Sequence, residues 1–258
     1  MSVVLTHTDT GGDGSPLIII HGLFGSRDNW RSHQRYWQSS HRVIAVDLRN
    51  HGASPHVAGM SYAAMAEDVL VVMNSLGIES AHLLGHSMGG KVAISLARLF
   101  PERVRSLIVA DIAPVAYDHH GHEDVFAALN RVAKANPAGR SEADALMAED
   151  VSERAVRLFL ATNLVRSEEG GLCLRIGLKE IEAGYSDIIG LPAGEGAFDG
   201  PALVVRGGRS PYVSDENLSA VYDVLPQARL VTLDGAGHWL HAEQPDAFQR
   251  SIDDFLAR

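Results

Sequence analysis

The sequence predicts an α/β fold, a mostly parallel sheet with helices on both faces and a helical insertion over the strand ends. Three observations predict it. Short apolar, β-favouring runs alternate along the chain with segments whose apolar residues recur at the helical period. One such run, Ala81 to Leu84, passes through Gly85-His86-Ser87-Met88-Gly89 straight into a helical pattern. From about Val115 to Asp199 the spacing is helical in several short pieces, and core-like strand runs return only at Ala202. A chain of 258 residues holds one large domain more readily than two separate ones. The expected division is a core of residues 1–114 and 200–258 with a helical lid, or cap, of residues 115–199.

In order, Val3 to Leu5 is a candidate first strand, and Asp9 to Pro16 is a turn-rich link. Leu17 to Ile20 is a buried-strand run that opens into His21-Gly22-Leu23-Phe24-Gly25, where small residues let a loop fold back over a ligand. Ser26 to Trp37 is helix-like, with Trp30 and Trp37 on it, and Val43 to Val46 is the next strand. Ser61 is placed to cap a helix carrying Tyr62, Met65, Ala66, Val69, Met73 and Leu76 at helical spacing, and Gly77 to end it. Met88 to Phe100 reads as a helix stopped by Pro101, and Leu107 to Ala110 as a strand ending in Asp111-Ile112-Ala113-Pro114.

Within the insertion, Val125, Phe126, Leu129 and Val132, then Val156, Phe159 and Leu160, then Ile181, Tyr185 and Ile188 mark helices. Asn163 to Arg175, interrupted by Glu169-Gly170-Gly171, reads as a hairpin. Ala202 to Val205 and Arg229 to Leu233 are the last strands, and a closing helix starts at Pro245 with Phe248, Ile252, Phe255 and Leu256 facing inward.

Composition narrows the function. A net charge of −10 disfavours a nucleic-acid or anionic membrane surface as partner, and no run approaches the ~20 apolar residues of a membrane span. The single Cys173 excludes an internal disulfide and suits a reducing compartment, so the cytoplasm is the expected location. Asp118-His119-His120-Gly121-His122-Glu123 contains metal-ligand residue types, but its spacing holds no rigid ligand set and no metal is expected there.

The strand-to-helix turn at Ser87 is the chemical centre. Glycines two positions on either side let backbone pass close to a serine on a strained turn, exposing its hydroxyl. A serine hydroxyl is a poor nucleophile at neutral pH and needs a base oriented by a carboxylate. Among thirteen histidines, His238 in Gly-Ala-Gly-His-Trp after the last strand is the best-placed base, ahead of His86 and His241. Activity is then expected to fall on the acid side as that imidazole protonates. Backbone N–H groups of Leu23 and Met88 are the candidate oxyanion donors, worth ~3 to 4 kcal/mol each to the barrier. Phe24, Phe126, Phe159, Tyr185 and Trp239 are the candidate pocket side chains, with Leu23 and Met88 as floor. Arg49 and Arg206 read as structural loop cations.

These pieces resemble the α/β-hydrolase superfamily, and within it the small YbfF-type bacterial esterases and their mitochondrial relatives. The resemblance rests on His21-Gly22-Leu23-Phe24-Gly25-Ser26, Asp47-Leu48-Arg49-Asn50-His51-Gly52, Gly85 to Gly90, Asp111 to Pro114, Gly207 to Tyr212 and Gly237-His238-Trp239. It implies a carboxylesterase-type serine hydrolase that cleaves small-molecule acyl esters, or acyl thioesters, with no metal or organic cofactor. A serine at the elbow speaks against the dehalogenases and epoxide hydrolases of this fold, which place aspartate there. In the commonest superfamily arrangement the acid follows the penultimate strand, yet Gly207-Gly208-Arg209-Ser210-Pro211 contains none. Asp111 takes the role instead, keeping the chain order Ser, Asp, His. Asp215, just after the candidate helix cap Ser214, is the alternative. C–C hydrolysis of an acidic substrate would use lid arginines such as Arg157, Arg166 or Arg175, and a low-turnover receptor on the same fold is the other alternative.

Overall fold

The computed structural model describes residues 2–117, 119–168 and 170–257, without the side chains of His119 and His120. The chain runs β1 (His7–Asp9), β2 (Ser15–Ile20), α1 (Arg31–Trp37), β3 (His41–Val46), α2 (Tyr62–Ser75), β4 (Ala81–His86), α3 (Met88–Leu99) and β5 (Val104–Ala110). It continues through α4 (Glu123–Ala135), α5 (Arg140–Met147), α6 (Arg154–Leu160), β6 (Leu164–Arg166), β7 (Leu172–Leu174), α7 (Leu178–Ala183) and α8 (Tyr185–Ile189). It closes with β8 (Ala202–Gly207), α9 (Leu218–Val224), β9 (Ala228–Leu233), α10 (Leu240–Glu243) and α11 (Pro245–Leu256).

Seven strands form one sheet in the order β1-β3-β2-β4-β5-β8-β9, parallel except for β1. Alternate residues of each central strand feed opposite cores, as the two-residue period of a strand requires. Ile18, Ile20, Leu83, Leu107 and Val109 pack with Val69 and Met73 of α2 and Val92 and Leu96 of α3. Leu17, Ile19, Leu84 and Ile108 pack on the other side with Trp30, Trp37, Phe248 and Ile252. The strands read as continuous apolar runs because both faces are covered.

Expected caps appear at α2, where Ser61 Oγ accepts from the Ala64 N–H at 3.3 Å and Gly77 turns the chain at φ +66°. The first strand is not Val3 to Leu5. Leu5 is buried in the core, and the pairing residues are His7–Asp9, an antiparallel edge strand whose outer face needs no apolar signal. The expected helix over 26–37 begins as a 3-10 turn, Arg27–Trp30, before α1. Ser214 makes no capping hydrogen bond. A 3-10 turn, Asp215–Asn217, precedes α9, and Asp215 pairs with Arg206 at 2.7 Å. The other loop cation, Arg49, binds Asp68 at 2.6 Å in full burial.

Between β5 and β8, which are neighbours in the sheet, lie α4 to α8 and the predicted hairpin, β6 paired with β7. Glu169, at its turn, lies outside the described residues. Lys91 of α3 is buried and reaches both ends of this stretch: its Nζ donates to the carbonyls of Val115 at 2.7 Å and Gly190 at 2.6 Å. Burial pushes its pKa down to about 7. Among the described residues no helix is long and apolar enough to cross a membrane.

Candidate active site

Ser87 sits between β4 and α3 at φ +52° and ψ −124°, a conformation an L-residue adopts only when its surroundings hold it there. Its N–H donates to the Ala110 carbonyl at 3.0 Å, tying the turn to β5. The flanking glycines are sterically required: a Cβ on Gly85 would lie 2.2 Å from the Gly89 carbonyl oxygen, and one on Gly89 would lie 2.3 Å from that of Ile20.

Three side chains from different strand ends meet here. His238 Nε2 lies 3.0 Å from Ser87 Oγ, and His238 Nδ1 lies 2.7 Å from Asp111 Oδ2. With the buried carboxylate accepting the Nδ1–H, Nε2 is turned to the serine hydroxyl as its acceptor. Asp111 follows β5 at φ +52°, and its Oδ1 accepts the Gly207 N–H at 2.9 Å. The Ser210 hydroxyl also donates to Asp111 Oδ2. Asp215 is on the surface, bound to Arg206, away from this group.

The other candidate bases are occupied differently. His86 Nε2–H donates to the His238 carbonyl at 2.8 Å, and burial holds this ring neutral, well below its ordinary pKa. His241 stacks on Trp30 with centroids 4.4 Å apart, and burial lowers its pKa to about 3.

The loop carrying Leu23 is fixed by two histidines to which sequence reasoning gave no role. His21 Nδ1–H donates to the Gly22 carbonyl at 2.7 Å while its Nε2 accepts the Leu48 N–H at 3.0 Å. His51 Nδ1–H donates to the Arg49 carbonyl at 2.9 Å while its Nε2 accepts the Phe24 N–H at 3.1 Å. Desolvation lowers their pKa values to about 4 and about 3, so both stay neutral acceptors. Ser210 and Tyr212 were missed as well. Tyr212 stacks on His238 with centroids 4.1 Å apart, and its position in the loop after β8 is the sequence signal that pointed toward the site.

Two cavities meet at Ser87. The larger, about 460 Å³, is bounded by His86, His238, Trp239, Phe159 and Val156, among others. The smaller, about 230 Å³, is bounded by Met88, Lys91, Tyr62, Tyr117, Tyr185 and Ile189, among others. Leu23, Ser87 and Tyr212 border both. Phe24 lines the larger cavity, as do Phe159 and Trp239, whose rings lie 5.7 Å apart. Phe126 lines neither. It is packed edge-on between Phe24 at 5.5 Å and Tyr185 at 5.1 Å, so its apolar helix face supports the wall rather than forming it. Met88 borders only the smaller cavity, so the expected common floor is divided between two chambers.

Of the histidine-rich stretch, Asp118 and the side chains of His119 and His120 lie outside the described residues. His122 is hydrogen-bonded to the Tyr185 hydroxyl at 2.7 Å, and burial lowers its pKa to about 4. Cys173 lies half-buried on β7.

Residues 15–245 match the model of the alpha/beta hydrolase fold. The chain is 39% identical to Esterase YbfF of Escherichia coli, over 95% of this chain and 94% of that protein. It is 38% identical to the sn-1-specific diacylglycerol lipase ABHD11 of Xenopus tropicalis, covering 96% of this chain and 80% of that one. Among solved structures, a marine microorganism esterase superposes with a TM-score of 0.95 at 38% identity, covering 98% of this chain and 100% of that one. The chain belongs to the α/β-hydrolase family and is an esterase-type hydrolase.

Proposed function

We propose that this hydrolase cleaves carboxylic acyl esters through a Ser87-His238-Asp111 triad and an acyl-enzyme, with thioesters following the same chemistry. The observation that carries the reading is the unbroken hydrogen-bond path from Ser87 Oγ through His238 to Asp111. Ser87 Oγ attacks the acyl carbon as its proton passes to His238 Nε2, and Asp111 stabilises the imidazolium. The N–H groups of Leu23 and Met88 take the developing oxyanion. The intermediate collapses as His238 returns the proton to the departing alkoxide. A water molecule, deprotonated by the same imidazole, then attacks the acyl-enzyme and frees Ser87. Ser210 and Gly207 hold the carboxylate of Asp111, and Tyr212 backs the ring of His238.

In this reading residues 115–199 form a cap on a core of residues 1–114 and 200–258. Both chambers combine residues of the two parts, such as Phe159 with Trp239 and Tyr185 with Met88. The lid arginines favour an ester over an acidic C–C substrate. Arg157 is bound to Asp144 at 2.9 Å, Arg175 to Ser26 at 3.0 Å, and neither they nor Arg166 borders a chamber. The proposed setting is the cytoplasm, in keeping with the lone thiol of Cys173.

A fluorophosphonate probe is expected to add one label per chain, at Ser87, and intact-mass spectrometry reads the adduct. Labelling that persists undiminished in Ser87→Ala would overturn the assignment.

A further inference from the structure

The reaction itself fixes which part of an ester enters which chamber. In the tetrahedral intermediate the acyl carbon bears Ser87 Oγ, the oxyanion, the leaving oxygen and the acyl chain. The leaving oxygen must lie where His238 Nε2 can protonate it. His238 borders the larger chamber and not the smaller, whereas Met88, the residue after the nucleophile, borders the smaller and not the larger. The leaving group is thereby directed to the larger chamber, and the acyl chain to the opposite side of Ser87.

The two chambers differ in size and charge. The smaller one includes Tyr62, Lys91 and Tyr117 in its wall. Lys91 Nζ is tied to backbone carbonyls and lies 4.6 Å from the Tyr117 ring centroid, and the Tyr117 hydroxyl donates to the Tyr212 carbonyl at 2.7 Å. The Tyr62 hydroxyl is bonded to the Ile188 carbonyl. With its polar groups engaged by the protein, this wall offers an acyl chain an apolar lining and a fixed end. The larger chamber includes Asp124, Asp150 and Glu153, of which Asp150 is paired with Arg131 at 3.1 Å. Its remaining carboxylates repel a polyanionic leaving group.

Building on the triad reading above, we propose that the acyl chain occupies the smaller chamber, gauged by the Lys91-Tyr62-Tyr117 wall, and the leaving group the larger, acid-lined one. The preferred substrates are short-chain acyl esters of bulky, uncharged alcohols, and thioesters of anionic carriers such as coenzyme A are poor substrates.

Two substrate series on the full-length protein test this. One varies the acyl group of p-nitrophenyl esters from acetate to decanoate, and the other varies the alcohol of butyrate esters from methyl to benzyl to 2-naphthylmethyl. Tyr185→Ala, which opens the smaller chamber, is expected to move the acyl preference to longer chains with the alcohol ranking kept. Val156→Trp, which fills the larger chamber, is expected to lower kcat/KM for the naphthylmethyl ester relative to the methyl ester by at least ~10-fold with the acyl ranking kept. Lys91→Ala, where it folds, extends the acyl preference further. Butyryl-CoA is expected to be turned over ~10-fold or more less efficiently at low salt than the butyryl thioester of N-acetylcysteamine, a gap that Asp124→Asn with Glu153→Gln narrows. Exchanged responses, rankings unmoved in both chamber variants, or equal turnover of the two thioesters would overturn the assignment. Hydrolysis that survives Ser87→Ala would instead overturn the triad on which it rests.

Discussion

Asp111→Asn is expected to lower kcat by on the order of 10⁴ while the protein stays folded. The hydrogen bonds around the carboxylate explain why so small a change does so much. Oδ1 accepts the Gly207 N–H, so an asparagine at this position keeps its carbonyl oxygen there and turns its NH₂ toward the Oδ2 position. That NH₂ then faces His238 Nδ1, which can meet a donor only by giving up its proton. The proton moves to Nε2, the atom that must accept from Ser87, and the base is lost as a tautomer rather than as a side chain. Asp215→Asn, at a surface ion pair with Arg206, is expected to leave kcat within ~2-fold. Steady-state kinetics on both variants, with circular dichroism to check folding, decide the matter. Near-full activity in Asp111→Asn with loss in Asp215→Asn would place the acid after β8.

A second large effect is acid unfolding driven by histidines outside the proposed triad. His21, His51 and His241 are fully buried with pKa values lowered to about 4, about 3 and about 3, and His86 lies well below its ordinary value, in each case mainly by desolvation. These are bases with depressed folded-state pKa values, so the sign follows directly. Above the unfolded value of ~6.5 neither state carries the proton, and the groups contribute no pH dependence. Between there and about 4 the unfolded chain takes up protons that the folded chain refuses, and each histidine costs about 1.4 kcal/mol of stability per pH unit. Together the four amount to roughly 5.6 kcal/mol per pH unit, comparable with the ~5–15 kcal/mol that separates a folded domain from its unfolded state. The urea midpoint is expected to collapse between pH 6.5 and about 4.5, with several protons taken up per chain on unfolding at pH 5. A midpoint unchanged across that range would refute it. Far-UV circular dichroism across the same range reads the unfolding directly and separates it from any change confined to the active site.

The two kinds of site residue were unequally legible. Ser87 and His238 announce themselves because the turn and the loop that carry them need glycines at fixed spacing, and Asp111 because it closes an apolar strand run. His21 and His51 act by accepting N–H groups of Leu48 and Phe24, partners defined only once β2 and β3 lie side by side. Ser210 matters through a carboxylate on another strand end. The central strands were plain because burial on both faces makes them wholly apolar, while β1, a half-exposed edge strand reading His-Thr-Asp, carries no such mark. Periodicity put Phe126, Phe159 and Tyr185 on apolar helix faces alike. It could not say that Phe126 spends its face on the other aromatic rings while the remaining two border chambers.

Lys91 holds Val115 and Gly190 with a single ammonium, one helical turn beyond the nucleophile. The chain between those two points is therefore a cassette with a fixed socket. Replacing residues 116–189 of this chain as one piece leaves Lys91, Val115 and Gly190 in place to seat the incoming segment. A replacement cut inside the two anchored carbonyls keeps both ends on Lys91; one that displaces either carbonyl leaves this buried side chain short of an acceptor and disturbs the helix that follows the serine.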